Sequence, residues 1–244
     1  MVDPLAFCSI VSNERLTGAR SALTFVRMRN PIRLTQLFVT LARFTRDLTR
    51  LEEIFELNDQ LLRLGKPGEA ASVIDDFKRA PAGAEALRTR HRLGHLPLST
   101  LIDLPPDTLG GAFARFMRAR GLAPENLPSK PASTELDYIV AHLYETHDLW
   151  HVLTGFDTDP AGELGLQAFM LAQTRAYLPL LVITAMSMNT AMYAYDQKTA
   201  RMDSLTRGWL LGRRAKSLVG VDFAPHLARP LTDVRRELGL DAAA

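Results

Sequence analysis

Apolar positions recur along most of the chain at steps of three and four, the period of an amphipathic helix. Leu34, Leu37, Phe38, Leu41, Phe44, Leu48, Leu51, Ile54 and Phe55 form one such series, which Gly65 and Pro67 stop. It predicts a single long helix over 34–64. A shorter amphipathic piece follows at 69–79. Residues 80–106, rich in Pro, Gly, Arg and His, read as mostly loop. Asp107-Thr108 caps a helix to about Arg120, with Gly121 beyond its end, and Pro124, Pro128 and Pro131 mark a linker. Thr134 with Asp137 resembles a capping box and opens a helix to Leu153, closed by Gly155. Asp159-Pro160 is an N-cap with Pro in the first helical position. It starts a long helix from about Ala161, kinked near Pro179, to about Tyr195. Two more helices are expected near 203–218 and 231–238. No strand alternation, repeat or low-complexity block interrupts this pattern. The predicted class is all-α, a single-domain helical bundle.

One run needs a decision. Ala176 to Tyr195 has no charged residue over twenty positions, the length of a membrane span. Pro179, Thr184, Ser187, Asn189 and Thr190 lie inside it and oppose insertion. A buried helix or the wall of an apolar ligand cavity is the reading adopted, and Met186, Met188 and Met192 suit either.

Composition changes the picture mainly by exclusion. The 244 residues carry 29 basic and 27 acidic side chains, a net charge of +2, too balanced for a nucleic-acid binder. The only cysteine, Cys8, rules out an internal disulfide and a Cys-rich zinc site. The N-terminus lacks a basic stretch ahead of an apolar core, so a secretory signal is not expected. Residues 15–50 hold eight arginines against Asp47 alone. A solvated helix face explains that best, with a transit segment or lipid-facing surface as alternatives. Three of the six histidines, His142, His147 and His151, fall within ten residues.

The segment Glu145-Thr146-His147-Asp148-Leu149-Trp150-His151 carries the chemistry. On a helix, His147 and His151 are about 6 Å apart along the axis and about 40° apart around it, so both imidazoles can meet one point. Asp148 sits at the edge of that face. Eleven residues and a turn later, Glu163 falls in the first turn of the next helix, and an antiparallel pair would bring it back over the histidines. Two histidines with one or two carboxylates suit Zn²⁺, Fe²⁺ or Mn²⁺. Chance pairing of two histidines at this spacing is the competing explanation. The zincin signature has Glu where this chain has Asp148, which argues against a protease. A His-Asp doublet also fits HD-type metal phosphohydrolases, for which His91 or His95 with Asp196 or Asp203 would complete the set.

These residues resemble the ubiquinone (coenzyme Q) biosynthesis protein Coq-four family, whose hallmark is HDxxH, eleven residues, then E: here His147, Asp148, His151 and Glu163. LPPDTLGGAFARFM (Leu104 to Met117), ELDYIVAHLYETHDLWHVLTG (Glu135 to Gly155), GELGLQAFMLAQ (Gly162 to Gln173) and LTDVRRELGL (Leu231 to Leu240) match as well. The resemblance sets residues 30–244 as the helical domain and 1–29 as a poorly ordered N-terminal extension. It implies a divalent metal on His147, Asp148, His151 and Glu163, zinc foremost, with iron, manganese or magnesium as alternatives. It implies an apolar cavity for a polyprenylated quinone precursor or other isoprenoid lipid, for which Tyr144, Gln167, Met170 and Met186 are the candidate contacts. It further implies oxidative decarboxylation at ring carbon one, or else a non-catalytic lipid-binding scaffold for the quinone-synthesis enzymes. The protein would then be peripheral, on the cytoplasmic face of a bacterial inner membrane or the matrix face of the mitochondrial one. The long helix at 34–64 makes a homodimer reasonable. One departure stands out. The family carries basic residues, in a stretch like RYRE, where this chain has His142-Leu143-Tyr144-Glu145. Two arginines expected to meet an anionic headgroup are gone, and His142 reads as a surface histidine.

Overall fold

A computed structural model describes residues 31–241 apart from 66, 124–131 and 175. The expected N-terminal extension over 1–29 and the linker prolines 124, 128 and 131 lie outside the described residues. Eleven α-helices follow in order among the described residues: α1 Pro31–Arg46, α2 Leu51–Leu64, α3 Pro67–Arg79, α4 Pro81–Thr89, α5 Leu98–Leu101, α6 Leu109–Ala119, α7 Glu135–Thr154, α8 Pro160–Thr174, α9 Tyr177–Tyr193, α10 Lys198–Arg214 and α11 Leu231–Leu238. The only extended pairing among them is one isolated bridge, Thr108 to Pro230. The fold is all-α and a single domain.

The series read as one helix over 34–64 is a hairpin. Asp47 Oδ1 accepts the Thr49 N–H at 3.0 Å and the Thr49 hydroxyl at 2.7 Å, a local turn that competes with helical bonding. The chain doubles back, so that Gln60 donates to Thr40 Oγ1 at 3.1 Å and Arg33 to the Arg63 carbonyl at 3.0 Å. Leu37, Phe44 and Leu57 are buried within the molecule. Only part of the apolar stripe that suggested a dimer is covered within the monomer, since Phe38 and Leu51 stay exposed.

The region read as loop over 80–106 holds α4 and the short α5. Pro81 occupies the first helical position of α4, where its missing N–H costs nothing. α4 stops at Arg90, which adopts the left-handed conformation (φ 54°) usually left to glycine. Its guanidinium helps hold it there, donating to the Ala132 and Thr134 carbonyls.

The expected helix from 161 to 195 is two helices. α8 ends at Thr174 and α9 begins at Tyr177, so Pro179 sits in the first turn of a new helix, where proline breaks no intrahelical bond. α9 is not uniformly buried. Val182, Ala185, Met186, Asn189 and Thr190 face inward, while Leu180, Met188 and Met192 are exposed. No helix among the described residues is long and apolar enough to cross a membrane. α10 begins at Lys198, five residues before its expected start, and α11 occupies its expected span.

Two apolar clusters organise the fold, and α8 serves both. The larger gathers Phe113 and Met117 of α6, Tyr138, Leu149, Trp150 and Leu153 of α7, Leu166 and Phe169 of α8, and the C-terminal Phe223, Val234 and Leu238. The smaller joins Phe44 of α1, Leu164 of α8, and Val182, Ala185 and Met186 of α9. α8 meets α10 backbone to backbone: a Cβ added at Gly208 would collide with the Gly165 carbonyl. That seam fixes α8, and hence its first-turn residues, against the rest of the molecule.

Candidate metal centre

The N-terminus of α7 follows its sequence signals closely. Thr134 Oγ1 accepts the Asp137 N–H and Asp137 Oδ2 accepts the Thr134 N–H, both at 3.1 Å. At the other end Gly155 takes a left-handed turn at φ 72°, and its N–H closes on the His151 carbonyl at 2.9 Å. The chain then reverses through Phe156–Asp159. Asp159 Oδ1 accepts the Gly162 N–H at 2.6 Å, which starts α8 and sets Glu163 in its first turn. Gly162 is required here, since a side chain would strike the Asp157 backbone.

The turn brings Glu163 over the histidine pair. Ligand atoms of His147, His151 and Glu163 all lie within 4.8 Å of one another. The two rings meet edge to face with centroids 5.0 Å apart, and His151 Nε2 is 3.1 Å from Glu163 Oε1. Asp148 is outside this set of converging atoms. Its charge nevertheless acts on both imidazoles and favours their protonated forms.

Three observations show that the residues fit a divalent cation. His151 is 1% exposed, and its Nδ1–H donates to the Phe156 carbonyl at 3.1 Å. A carbonyl only accepts, so Nδ1 carries a proton and Nε2 is the nitrogen turned toward the site. Nε2 is buried with no aligned hydrogen bond, despite its closeness to Glu163. The donor set, two nitrogens and a carboxylate, is one that suits divalent cations such as zinc, iron or manganese.

The charge states agree. Burial, then the charge of His151, holds His147 below the usual imidazole value, so it is neutral near pH 7. Burial opposes the charge on Glu163, but its contact with His151 and the charge of that ring win and hold the carboxyl below its usual range. His151 is raised: burial resists protonation, and the Glu163 carboxylate 3.1 Å away outweighs it. A bound cation would displace that proton.

The other candidate residues are distributed more widely. Gln167 lies one turn after Glu163 on α8 and is buried. Met170 packs against the larger apolar cluster and Met186 belongs to the smaller one. Tyr144 lies against Phe55 of α2, centroids 5.3 Å apart. The four therefore do not share one apolar cluster. His142 is not a surface histidine. It is 1% exposed, enclosed by Phe77, His91 and Tyr138, and its Nε2 accepts the Gly220 N–H at 3.2 Å. Metal-ligating geometry among the described residues does not extend to His91, His95, Asp196 or Asp203. His91 is instead paired with His142, and Asp196 and Asp203 are exposed, so the phosphohydrolase set is not assembled.

Sequence reasoning missed residues that surround the histidines. The Phe116 ring stacks on His151, centroids 5.8 Å apart, and Arg120 lies over Phe116. Glu145 accepts from Arg92 Nε at 2.8 Å and from the Gly94 N–H at 3.0 Å, fastening the loop after α4 to α7. No local spacing encodes such contacts, because they arise where separate helices pack.

Comparison with known proteins places the chain. The family model described as coenzyme Q (ubiquinone) biosynthesis protein Coq4 matches residues 67–244. The ubiquinone biosynthesis protein COQ4 homolog, mitochondrial, of Rattus norvegicus is 31% identical over 170 residues, 68% of this chain and 63% of the relative. The corresponding mitochondrial protein of Botryotinia fuckeliana is 30% identical over 173 residues, 68% of this chain and 60% of the relative. The chain thus spans about three fifths of the length of these curated relatives. A crystal structure assigned to ubiquinone biosynthesis in Nostoc punctiforme superposes with a TM-score of 0.74 at 25% identity, covering 86% of this chain and 99% of that one. The match over 67–244 takes in the whole of α7 and α8, and with it the histidine pair and Glu163, and the chain belongs to the coenzyme Q (ubiquinone) biosynthesis protein Coq4 family.

Proposed function

We propose that this protein acts in ubiquinone biosynthesis through a divalent metal, zinc foremost, held by His147, His151 and Glu163. The observation that carries the reading is the convergence of these three side chains from two helices within 4.8 Å. The substrate is a prenylated quinone precursor, and the reaction class is oxidative decarboxylation at ring carbon one, with O₂ as oxidant. The cation supplies Lewis-acid polarisation of a carboxylate or phenolate. Around it, Glu163 stays anionic, His147 stays neutral, and the Phe156 carbonyl keeps the proton of His151 on Nδ1. Asp148 adds negative charge beside both imidazoles.

The test is elemental analysis of the purified chain against a variant with His147 and His151 both changed to Ala. One equivalent of metal in the wild type and none in the variant is expected. A full equivalent retained in the variant would sink the assignment.

A second reading, a lipid-binding scaffold with a structural metal, is favoured by the uncharged outer face of α9, where Tyr177, Leu180, Met188, Met192 and Tyr193 are exposed. Such a face suits peripheral contact with a membrane, or with other quinone-synthesis proteins. Gentle purification followed by native mass spectrometry separates the two. A co-purified prenyl lipid without turnover of a prenylated hydroxybenzoate supports the scaffold, and turnover supports the enzyme.

A further inference from the structure

We propose that Phe116, Arg120 and Asp157 form a positioning clamp that fixes the imidazole plane of His151 and so sets the affinity of the centre for its cation. The inference rests on the metal reading above, but on residues outside the ligand set.

An imidazole held only through Nδ1 keeps one freedom. The hydrogen bond to the Phe156 carbonyl fixes one direction in the ring plane, and rotation about that direction still swings Nε2 away from Glu163. A flat surface against the ring removes this freedom. Phe116 supplies it, with an interplanar angle of 25° and centroids 5.8 Å apart.

Phe116 is fixed in turn. The guanidinium carbon of Arg120 sits 3.7 Å from the centroid of its ring. Arg120 donates from Nη1 to the Phe116 carbonyl at 3.1 Å and from Nε to Asp157 Oδ1 at 2.7 Å, and its Nη2 is 2.7 Å from the same oxygen. Asp157 also accepts the Thr158 N–H at 2.6 Å. The loop between α7 and α8 therefore reaches His151 twice. Phe156 reaches it directly, and Asp157 reaches it through Arg120 and Phe116. Only a planar cation can lie flat on Phe116 while presenting two donors to one carboxylate, which is the property that separates arginine from lysine.

Arg120 and Asp157 lie at the molecular edge, with side chains 25% and 56% exposed, so removing either opens no core cavity. The test is chelator-competition titration of the full-length chain with Zn²⁺ and with Co²⁺, whose visible spectrum reports ligand geometry where zinc is silent. Wild type is compared with Arg120→Ala, Arg120→Lys and Asp157→Asn. All three variants should lose about tenfold in affinity, as for other partners that orient metal ligands. Their Co²⁺ bands should shift while thermal midpoints stay at the wild-type value. Wild-type affinity and spectrum in Arg120→Ala would overturn the clamp. Full recovery in Arg120→Lys would also overturn it, by placing the effect in charge instead of ring orientation. So would a fall in thermal midpoint that parallels the lost affinity, which marks a merely structural role. A wild-type chain that binds neither cation would instead overturn the metal reading itself, and the clamp with it.

Discussion

The Nε2 atom of His142 accepts a hydrogen bond from the Gly220 N–H at 3.2 Å, tying the middle of α7 to the turn after α10 across 78 residues. An accepting Nε2 places the proton on Nδ1, which is buried with no hydrogen-bond partner among the described residues. His91, 5.8 Å away ring to ring, has the same tautomer but the opposite nitrogen engaged. Thr89 Oγ1 already donates to the Glu85 carbonyl, so it accepts from His91 Nδ1–H at 3.0 Å and leaves His91 Nε2 as a buried acceptor. A donor on one ring and an acceptor on the other thus stand open in the same pocket.

Acid should therefore destabilise this protein through His142. Burial, then the charge of His91, lowers its value from 6.5 to about 4, with Arg92 adding to the effect and Glu145 and Asp222 opposing it. The folded state binds fewer protons than the unfolded chain between these values. The contribution is complete above about pH 6.5 and fades as pH falls toward 4, a loss of about 3 kcal/mol. Gln at position 142 can keep an acceptor for Gly220 without titrating. Denaturant midpoints measured from pH 7 to pH 4 should fall less steeply in His142→Gln. Parallel curves for the two proteins would rule His142 out as the source.

Glu163→Gln should lower zinc affinity by about 100-fold or more, beyond the effect of an orienting partner, because it removes the anionic ligand. The far-ultraviolet circular dichroism should stay that of the wild type, since the α8 start is held by Asp159 and Gly162. Unchanged zinc binding would remove Glu163 from the site.

The α8–α10 seam should couple stability to the site. In Gly208→Ala the new methyl meets the Gly165 backbone, which cannot rotate away as a side chain could. The helices must separate, at a cost of about 1–3 kcal/mol. Glu163 is two residues from Gly165, so metal affinity should fall with the thermal midpoint. A lower midpoint with intact affinity would show that α8 holds its first turn independently of α10.

What the sequence made legible follows the range of each interaction. Thr134, Asp137 and Gly155 bound α7 through contacts within a few residues, and Asp159-Pro160 starts α8 in the same way, so α7, the start of α8 and the meeting of His147, His151 and Glu163 could be read in advance. α4 escaped because Arg90 stands in the left-handed position where a glycine would have announced the stop. The break between α1 and α2 rests on an Asp47–Thr49 turn with neither Gly nor Pro in it. His142 looked like a surface residue because its neighbours, Phe77, His91 and Gly220, arrive from three distant segments. The Phe116 contact with His151 depends likewise on how α6 packs against α7, which no spacing within either helix records.

Arg201 should prove a structural cation held by neutral partners. It is 3% exposed. Its Nη1 donates to Asn189 Oδ1 at 2.9 Å and Thr190 Oγ1 at 3.0 Å, while Nε and Nη2 both reach Gln197 Oε1. Burial lowers its value, against the charges of Asp196 and Asp159. Asn189 passes the connection on by donating to the Thr45 carbonyl at 2.9 Å, so one guanidinium links α10 to α9 and, through it, to α1. Arg201→Met strands Asn189 Oδ1 in the interior and should cost about 2–3 kcal/mol. Asn189→Leu alone should cost a similar amount by leaving the cation short of an acceptor. The double variant should then lose less than the sum of the singles, because neither partner is left waiting for the other. Chemical denaturation of all four proteins reads this directly, and strictly additive losses would show that Arg201 draws its stability from elsewhere.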